Sequence, residues 1–408
     1  MFKYLKSAAT MLAAASICQM AAAKLPAYTN PAGNEFPIVG WYSIPDSAST
    51  PERYREMREA GFNISFPHLK NNEEVAKAVE ASRGTGVRII VMSDDVYSDP
   101  EGTAERFRGE PQIAGWYLRD EPVASQFGEL AELRDRIYAA DTTRMIYLNL
   151  FPNIMPPEML KTGSYDEYMQ RFLDEVRPQM LSFDHYPILF NDSTRTAAVR
   201  PEFYANLESG RRVASANQCP LWAFCLSTAH LSYPLPRDSH LRLEAFAALA
   251  YGAQGIQHFT YWEPLTEPDI FYHGPIDRNG QRTDVYHQLK SLNKEIQDLA
   301  PIFLGSEVLG VWHTGNAIPE GTTRFPISER PAGLQKLHSD GEGLLVSHLR
   351  GGDGNEYVML VNRDIVHAQK VSAQFKGNVS AVTADGKPRT LSETESIEPG
   401  SYLLIRLS

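Results

Sequence analysis

The feature that most constrains the fold is a repeated alternation of short apolar runs with amphipathic segments, from Phe36 to about Ala300. The eight apolar runs are Pro37–Tyr42, Asn63–Phe66, Val87–Met92, Ile113–Leu118, Met145–Asn149, Met180–Phe183, Leu221–Leu226 and Gly255–Tyr261. Short apolar runs between helical segments are typical of buried parallel strands, which need crossover connections. Eight successive strand–helix units predict an α/β fold of the (β/α)8 TIM-barrel type. A doubly wound open sheet is the alternative, but it usually has fewer units, and no G-x-G-x-x-G turn is present to bind a dinucleotide.

Several of the intervening segments carry recognisable helix boundaries. Thr50 is a capping residue in front of Pro51, which is favourable at the first helical position. Ser164 and Glu167 have capping-box spacing ahead of an apolar helical face. The segment 242–250 is rich in alanine and leucine, and a glycine follows it closely at 252. These signals support helices between the predicted strands.

Beyond Pro301 the pattern changes to short β-like runs separated by turns such as Gly351–Gly354. The runs are Val308–Trp312, Gly343–Leu349, Tyr357–Val361, Val371–Phe375 and Tyr402–Leu407. We predict a barrel domain over residues 24–300 and a small all-β domain, a β-sandwich, over residues 301–408. The second domain shows no catalytic constellation, so we expect it to be accessory.

The first 23 residues have the pattern of a secretory signal peptide. Two lysines precede an apolar run from 8 to 17, and Ala21–Ala23 offers a small-residue cleavage site. The run is too short for a membrane span, and no later apolar run approaches that length. We therefore expect an exported bacterial protein, located in the periplasm or outside the cell. A lipoprotein anchored through Cys18 is an alternative against which Ile17 argues, since a small residue is expected there.

Charge and cysteine content exclude several classes of function. The net charge is −11 without any basic stripe, so nucleic acid is not an expected partner. Cys219 and Cys225 would lie about 20 Å apart on a strand, beyond disulfide reach. No H-x-x-x-H or H-E-x-x-H pair predicts a metal site, and no G-x-S-x-G turn predicts a serine nucleophile. We expect no cofactor.

Polar and aromatic side chains follow most of the predicted strands. In a barrel these positions meet at one face, where the active site forms. They are His68, Asp94, Asp95, Asp120, Glu121, Asn149, Asp184, His185, Tyr186, Ser227–His230, Trp262 and Glu263. Carboxylates protonate a glycosidic oxygen and stabilise an oxocarbenium-like transition state, while aromatic rings stack on sugar faces. The set therefore indicates a carbohydrate substrate.

The adjacent acids Asp120 and Glu121 are the main catalytic candidates. The apolar run that starts at Ile113 leads directly into them, and Pro122 then ends the strand. Like charges and desolvation would raise the pKa of at least one carboxyl, as a general acid near neutral pH requires. The alternative is that the two acids are ordinary solvated residues at the end of a strand. Their position at the end of the fourth of eight strands favours a catalytic role.

Other candidates also have purely structural interpretations. Asp94 and Asp95 are as well explained as capping residues of the next helix. His68 is explained as a histidine that packs or forms a hydrogen bond after its strand. Trp116 is as well explained by the core as by a sugar site. Trp262 and Glu263 are compatible with ordinary packing at the end of the last strand.

Three segments, Gly115–Pro122, Phe183–Pro187 and Ala250–Trp262, resemble clan A glycoside hydrolases, especially bacterial β-galactosidase-like and endoglucanase-like enzymes. The resemblance runs from Phe36 to about Leu299 and includes the segment 276–283. It implies that the acid/base glutamate at the end of strand four is Glu121, with Asp120 in place of the usual asparagine. It also implies a nucleophilic glutamate at the end of strand seven, where this chain has Leu226–His230 and no glutamate.

The missing glutamate leaves three alternatives open. Glu263 or Asp184 supplies the second carboxylate, and its separation from Glu121 then predicts retention or inversion. Alternatively, the Asp120–Glu121 pair resembles that of substrate-assisted N-acetylhexosaminidases, in which the aspartate orients an acetamido nucleophile. In the third alternative the barrel binds carbohydrate without cleaving it.

We predict an exported glycoside hydrolase with Glu121 as general acid/base and Asp120 as its partner. The residues that we expect to contact the sugar are Trp262, Tyr261, Tyr186, His185, Asn149, Asp94, His68 and Trp116.

Overall fold

The computed structural model describes residues 25–266, 270–328, 330 and 333–408, and the structural statements below concern these residues. The predicted signal peptide and Cys18 lie outside them. Within the described ranges, no helix combines the length and apolar character needed to cross a membrane.

Eight parallel strands form the barrel, and each coincides with one of the predicted apolar runs. They are β1 Ile38–Trp41, β2 Ile64–Phe66, β3 Arg88–Val91, β4 Ile113–Asp120, β5 Met145–Asn149, β6 Leu181–Phe183, β7 Leu221–Leu226 and β8 Ala253–Phe259. The order in the sheet is β5-β4-β3-β2-β1-β8-β7-β6. A parallel bridge between Leu150 and Phe183 brings β5 next to β6, and the Leu150 N–H donates to Ser182 O at 2.9 Å. The predicted barrel is confirmed, and its sheet nearly closes.

Helices cover the outside of the sheet. The longer ones are Pro51–Glu59, Asn72–Ser82, Pro100–Arg106, Phe127–Ala140, Tyr165–Glu175, Glu202–Ala216, Asp238–Ala250 and Asp284–Asp298. Short helical turns are Asp46–Ala48, Asp94–Ser98, Ala124–Gln126, Pro157–Leu160 and Ala300–Phe303.

Two of the predicted helix starts can be compared with the structure in detail. The Thr50 side chain accepts from the Arg53 N–H, and the Ser164 hydroxyl accepts from the Glu167 N–H at 3.1 Å. The Glu167 carboxylate takes the Gly163 N–H at 2.8 Å, one residue before the position that a capping box requires. Both caps are present, and the reciprocal bond is shifted by one residue.

The interior of the barrel is unusually aromatic. Trp41, Tyr117, Tyr147, Trp222 and Phe224 are all buried and belong to one cluster inside the sheet. Burying a large apolar side chain contributes about 1.5–3 kcal/mol. The barrel is therefore a packed core whose rings reach the rim where the strands end.

The C-terminal region is a two-sheet β-sandwich, as predicted. One sheet has the strands Glu307–His313, Leu344–Arg350, Glu356–Asn362, Tyr402–Leu407, Val379–Val382 and Pro388–Arg389 in that order, and the other has Leu334–Ser339, Gln369–Phe375 and Glu395–Ile397. Four of these strands were not predicted: Leu334–Ser339, Val379–Val382, Pro388–Arg389 and Glu395–Ile397. In the first of them Leu334 is the only buried residue. An edge strand of this kind has no apolar run in its sequence.

Helix Asp238–Ala250 connects the sandwich to the barrel. Phe246 packs against Tyr402 with ring centroids 4.1 Å apart, and the Ser347 hydroxyl donates to Ala250 O at 2.6 Å. On its other side, the buried Glu244 carboxyl accepts the backbone N–H of Leu226 in β7. This helix thus braces the wall of the barrel below the end of β7.

Candidate active site

Three carboxyl groups and one amide meet at the carboxyl ends of β4, β5 and β6. Asp120 and Asn149 are the last residues of β4 and β5 and are register partners. The Asn149 amide donates to Asp120 Oδ1 at 3.3 Å and to Asp184 Oδ1 at 3.0 Å. The carboxyl groups of Glu121 and Asp184 hydrogen-bond to each other. The structure therefore brings together Asp120, Glu121, Asn149 and Asp184, all predicted from the sequence, and we call these four residues the carboxylate cluster.

Asp120 is exposed at the rim and Glu121 and Asp184 are half-buried, and the atoms packed around their carboxyl groups desolvate them and raise their pKa values. Desolvation raises the pKa of Asp120 to about 6, against the opposing effect of the Asn149 hydrogen bond. Desolvation, followed by the charges of Asp184 and Asp120, holds the pKa of Glu121 well above its ordinary value. The pKa of Asp184 is also raised, first by burial and then by the charge of Asp120. These raised pKa values favour at least one protonated carboxyl group in the cluster near neutral pH.

The backbone at Glu121 explains how two consecutive residues reach the same cluster. Successive side chains of a regular strand point to opposite faces. Glu121 has a φ of 45°, in the left-handed region, where a residue with a Cβ costs roughly 1–2 kcal/mol. Its N–H donates to Asn149 O at 2.8 Å, and the Tyr168 hydroxyl donates to the carbonyl of Pro122. These two bonds hold the turn that places both carboxyls in the cluster.

One group of aromatic side chains lies on the β6–β8 side of the rim. Tyr186 contacts Phe224, Tyr233 and Phe259, with centroid distances of 6.2, 5.8 and 5.7 Å. Burial raises the pKa of Tyr186, and the nearby charges of Asp184, Asp120 and Glu121 raise it further. Tyr186 was predicted as a sugar contact, and this position suits that role.

A second aromatic group surrounds His68 at the ends of β1 and β2. Its imidazole lies 4.4 Å from the ring of Tyr42 and 5.7 Å from that of Trp41. His68 remains accessible to solvent, and desolvation by its neighbours lowers its pKa to about 4. It is therefore a neutral polar group on an aromatic surface at neutral pH. Sequence reasoning missed Tyr42, although it directly follows β1.

Three of the aromatic residues predicted to contact the sugar are buried in the hydrophobic core. Trp116 and Tyr261 have no exposed surface and belong to the core between the sheet and the helices. Trp262 is buried as well, with the guanidinium of Arg53 5.2 Å above its ring. Their placement gives all three a packing role.

His185 and Asp94 also take structural positions. His185 is buried, its Nδ1 lies 3.0 Å from Asn206 Oδ1, and desolvation lowers its pKa to about 4. Asp94 is exposed in the first turn of a short helix, and its neighbour Asp95 accepts the Asn72 N–H at 2.7 Å. The structural interpretation of Asp94 and Asp95 as helix-start residues fits these contacts.

Glu263, the other candidate for the second carboxylate, uses its carboxylate to hold a loop in place. It is 4% exposed and accepts the backbone N–H groups of Gly274 and Arg278, each at 3.1 Å. The Arg278 side chain adds an ion pair at 3.8 Å. Glu263 therefore braces the segment that returns towards the rim after β8.

The end of β7 carries hydroxyl groups in place of a carboxylate, and both donate to carbonyls. The Ser227 hydroxyl donates to Thr260 O at 2.7 Å, and the Thr228 hydroxyl donates to Tyr272 O at 3.3 Å. Glu244, behind β7, was missed because it lies within a helix, and burial raises its pKa far above the ordinary range. A neutral carboxyl that is 2% exposed is not available to a substrate.

No set of three or more His, Cys, Asp or Glu side chains within the described ranges is arranged to hold a metal ion. Acid–base chemistry by the carboxylate cluster is what the arrangement supports directly.

Comparisons with known proteins agree with this architecture. The family model for β-galactosidase of glycoside hydrolase family 42 matches residues 152–299. A β-galactosidase structure from Bacillus circulans sp. alkalophilus has 9% identity and a TM-score of 0.60, with 92% of this chain and 99% of that chain covered. A family 42 β-galactosidase from G. stearothermophilus gives 9% identity and a TM-score of 0.58, with 93% and 99% covered. Residues 152–299 are thus similar to family 42 β-galactosidases, and the fold of the chain is similar to that of solved β-galactosidases.

The extent of the likeness differs among these glycoside hydrolases. The chain spans 60% of the length of a β-galactosidase from the psychrophilic Marinomonas ef1, at 10% identity, 65% coverage of this chain and a TM-score of 0.47. No curated protein sequence matches the chain. The family match begins three residues after β5 and runs through the last barrel helix, so it includes Asp184 and the end of β7 but not Asn149. It does not include Asp120 or Glu121, whose role rests on the geometry.

Proposed function

We propose that this glycoside hydrolase cleaves carbohydrate with Glu121 as its general acid. The observation that carries the proposal is the hydrogen bond between the carboxyl groups of Glu121 and Asp184, beside the third carboxyl group of Asp120 at the barrel rim. A carboxyl that stays protonated near neutral pH can donate to a glycosidic oxygen as the bond breaks. The same group, once ionised, can accept a proton from the attacking water in the second half of the reaction.

Asp184 is too close to Glu121 to serve as the second catalytic carboxylate. Two hydrogen-bonded carboxyl oxygens lie roughly 2.5–3 Å apart. The two acids of a retaining glycosidase are about 5–5.5 Å apart, and those of an inverting one about 6.5–9.5 Å. A sugar cannot lie between Glu121 and Asp184 while they are hydrogen-bonded, so Asp184 instead adjusts the proton affinity of Glu121.

This arrangement favours the substrate-assisted mechanism, with an N-acetylhexosamine as the sugar that is cleaved. Glu121 protonates the leaving oxygen while the acetamido oxygen of the substrate attacks C1 and forms a cyclic oxazolinium. Ionised Asp120 accepts the acetamido N–H and stabilises the positive charge. Water then attacks C1, Glu121 takes its proton, and the ring reopens. The mechanism needs no carboxylate at the end of β7, where the described residues have Ser227 and Thr228.

The second candidate is a β-galactosidase, which the names of the matching family and structures suggest. Such an enzyme would need a nucleophile other than Asp184 in the arrangement seen here. The two candidates therefore differ in whether the 2-acetamido group of the substrate is required.

A panel of aryl glycosides separates the candidates. We expect turnover of aryl N-acetylhexosaminides and competitive inhibition by a thiazoline mimic of the oxazolinium. Turnover of aryl β-galactosides alone would eliminate the substrate-assisted mechanism and leave the glycosidase. If neither class nor any glycan is cleaved, while glycans still bind to both the wild type and Glu121→Gln, the barrel is a carbohydrate-binding protein. Glu132→Gln, on an exposed helix position, is the matched control.

We also propose that the protein is exported through its first 23 residues. Expression in a bacterium followed by fractionation should recover mature protein beginning at Lys24 outside the cytoplasm. Deleting residues 2–23 should retain it in the cytoplasm. Cys18→Ser should not change the outcome, and membrane release by this variant alone would instead support a lipoprotein.

A further inference from the structure

A chain of hydrogen bonds crosses the barrel interior and ends at the carboxylate cluster. Trp41 Nε1 donates to the Tyr147 hydroxyl at 2.8 Å, and that hydroxyl donates to Gln257 Oε1. Gln257 Nε2 donates to the Ser182 hydroxyl at 2.8 Å, which donates to Asn149 Oδ1 at 3.0 Å. The chain joins β1, β5, β8 and β6. We call Trp41, Tyr147, Gln257, Ser182 and Asn149 the interior relay.

The relay runs in one direction when Asp120 and Asp184 are ionised, because the Asn149 amide must then donate to them. An indole N–H is a donor and never an acceptor, so the Tyr147 oxygen must accept from Trp41. The hydrogen of Tyr147 is then free for Gln257 Oε1, which leaves the Gln257 amide to donate to Ser182. Each later donor follows in the same way, until the Asn149 amide faces the acids. Both hydrogens of that amide are taken, by Asp120 and Asp184.

Burial prevents water from replacing these partners. Tyr147, Gln257 and Ser182 have no exposed surface, and Asn149 and Trp41 are 2% and 5% exposed. A buried polar group without its partner costs about 1–3 kcal/mol. A flipped Asn149 amide would also turn its oxygen towards two acids. The relay therefore keeps Asn149 in one orientation.

We propose that the interior relay positions the acids of the site, with Tyr147, Gln257 and Ser182 acting through Asn149. The Asn149 amide stabilises the ionised forms of Asp120 and Asp184, and thereby leaves the proton on Glu121. Because its catalytic consequence concerns Glu121, the inference rests on the proposed function. Tyr147, Gln257 and Ser182 are positioning residues, since none of them is argued to touch the substrate.

Ser182→Ala removes the link next to Asn149 and tests the relay. Ser65→Ala is its control, because Ser65 is equally buried on β2 and its hydroxyl donates to the Ser43 hydroxyl at 2.9 Å, away from the acids. We expect similar melting temperatures for the two variants. Only Ser182→Ala should lower kcat, by about tenfold, with KM within twofold. The acidic limb of its kcat–pH profile should move to higher pH, because Asp120 ionises less readily when the Asn149 amide is no longer held in place.

Tyr147→Phe breaks the relay two links further away, without removing the ring. Tyr54→Phe is the control, since Tyr54 is fully buried and its hydroxyl faces Ser49 and Ser65 on the β2 side, outside the relay. We expect a smaller loss of kcat for Tyr147→Phe and a limb shift in the same direction. Equal pH profiles for the Ser182 and Ser65 variants, or a fall in KM and kcat without any limb shift, would overturn the relay.

A readout without turnover separates this inference from the proposed function. In a 13C NMR titration of the Asp side chains, the midpoints of Asp120 and Asp184 should rise in Ser182→Ala and stay in place in Ser65→Ala. Unchanged midpoints in a protein that cleaves glycosides would refute the relay alone. Raised midpoints in a protein that cleaves nothing would support the relay and refute the glycosidase.

Discussion

The rim of the barrel carries acids on two sides, and the two sides use them differently. At the ends of β4 to β6, three carboxyl groups lie together, and desolvation raises the pKa of each, with repulsion by neighbouring acids adding to the shift at Glu121 and Asp184. After β8, Glu263 is saturated by two backbone N–H groups and an arginine. A carboxylate that accepts several hydrogen bonds in its ionised form stabilises the structure around it. A carboxyl group held among other acids keeps its proton more readily and can donate it. The difference between the sides lies in their hydrogen-bond partners and not in residue type.

The largest expected effect is on Glu121. Glu121→Gln keeps the volume and removes the transferable proton, so kcat should fall about a thousandfold, within the range found for a general acid. The melting temperature should stay the same or rise, because one of the crowded carboxyl groups is gone. Steady-state kinetics with an aryl glycoside and a thermal melt check both. Retention of full kcat would remove Glu121 from the mechanism.

Asp120→Asn should lower turnover of an N-acetylhexosaminide by about a hundredfold, since a charged group that stabilises the transition state is lost. The same substitution should increase the stability of the folded protein at neutral and higher pH. The pKa of Asp120 is about 6 in the folded protein against a reference value of 3.8. The folded state thus binds the extra proton between these pH values, and stability falls as the pH rises through that window.

The stability of Asp120→Asn is therefore expected to depend on pH. At pH 8 the variant should melt above the wild type, and at pH 4 the two should melt together, because Asp120 is then protonated in the folded wild type. Thermal melts at the two pH values measure this. A variant that melts below the wild type at pH 8 would show that the charge of Asp120 stabilises the fold.

Glu263→Gln should lower the stability of the protein and leave kcat nearly unchanged, whereas Glu121→Gln should lower kcat and leave stability unchanged or higher. An amide cannot satisfy both backbone N–H groups and the arginine as a carboxylate does, so the free energy of unfolding should fall by about 1–3 kcal/mol. The kcat of the folded fraction should change less than threefold. Denaturant unfolding together with kinetics at low temperature makes the comparison. A large loss of kcat without loss of stability would make Glu263 a catalytic residue.

The smallest expected effect concerns the turn at Glu121. Tyr168→Phe removes the hydrogen bond to the Pro122 carbonyl, which is worth about 1 kcal/mol. The left-handed turn should loosen, and kcat should fall a few-fold with little change in KM. Tyr204→Phe is a matched control, because the Tyr204 hydroxyl is buried without a partner. Equal kinetics in the two variants would show that the turn does not need Tyr168.

The strand ends could be predicted from the sequence, whereas the contacts between them could not. Each apolar run became a strand, because its residues are buried on both faces of a parallel sheet. The carboxylate cluster consists of residues picked from the ends of three of those runs. The interior relay escaped prediction because Trp41 and Tyr147 are 106 residues apart, and Tyr147 and Gln257 are 110 apart. No local pattern encodes that pairing.

Glu121 and Glu263 show which properties of an acid the sequence determines and which depend on the tertiary structure. The sequence by itself determined that both follow barrel strands, because apolar periodicity and a following proline specify where a strand ends. Only the tertiary structure decided their chemistry. Glu263 meets backbone N–H groups that a returning loop delivers, while Glu121 meets Asp184, whose strand lies two places away in the folded sheet. Proton affinity depends on which charges and dipoles surround a carboxyl group, and folding brings those neighbours from distant parts of the chain.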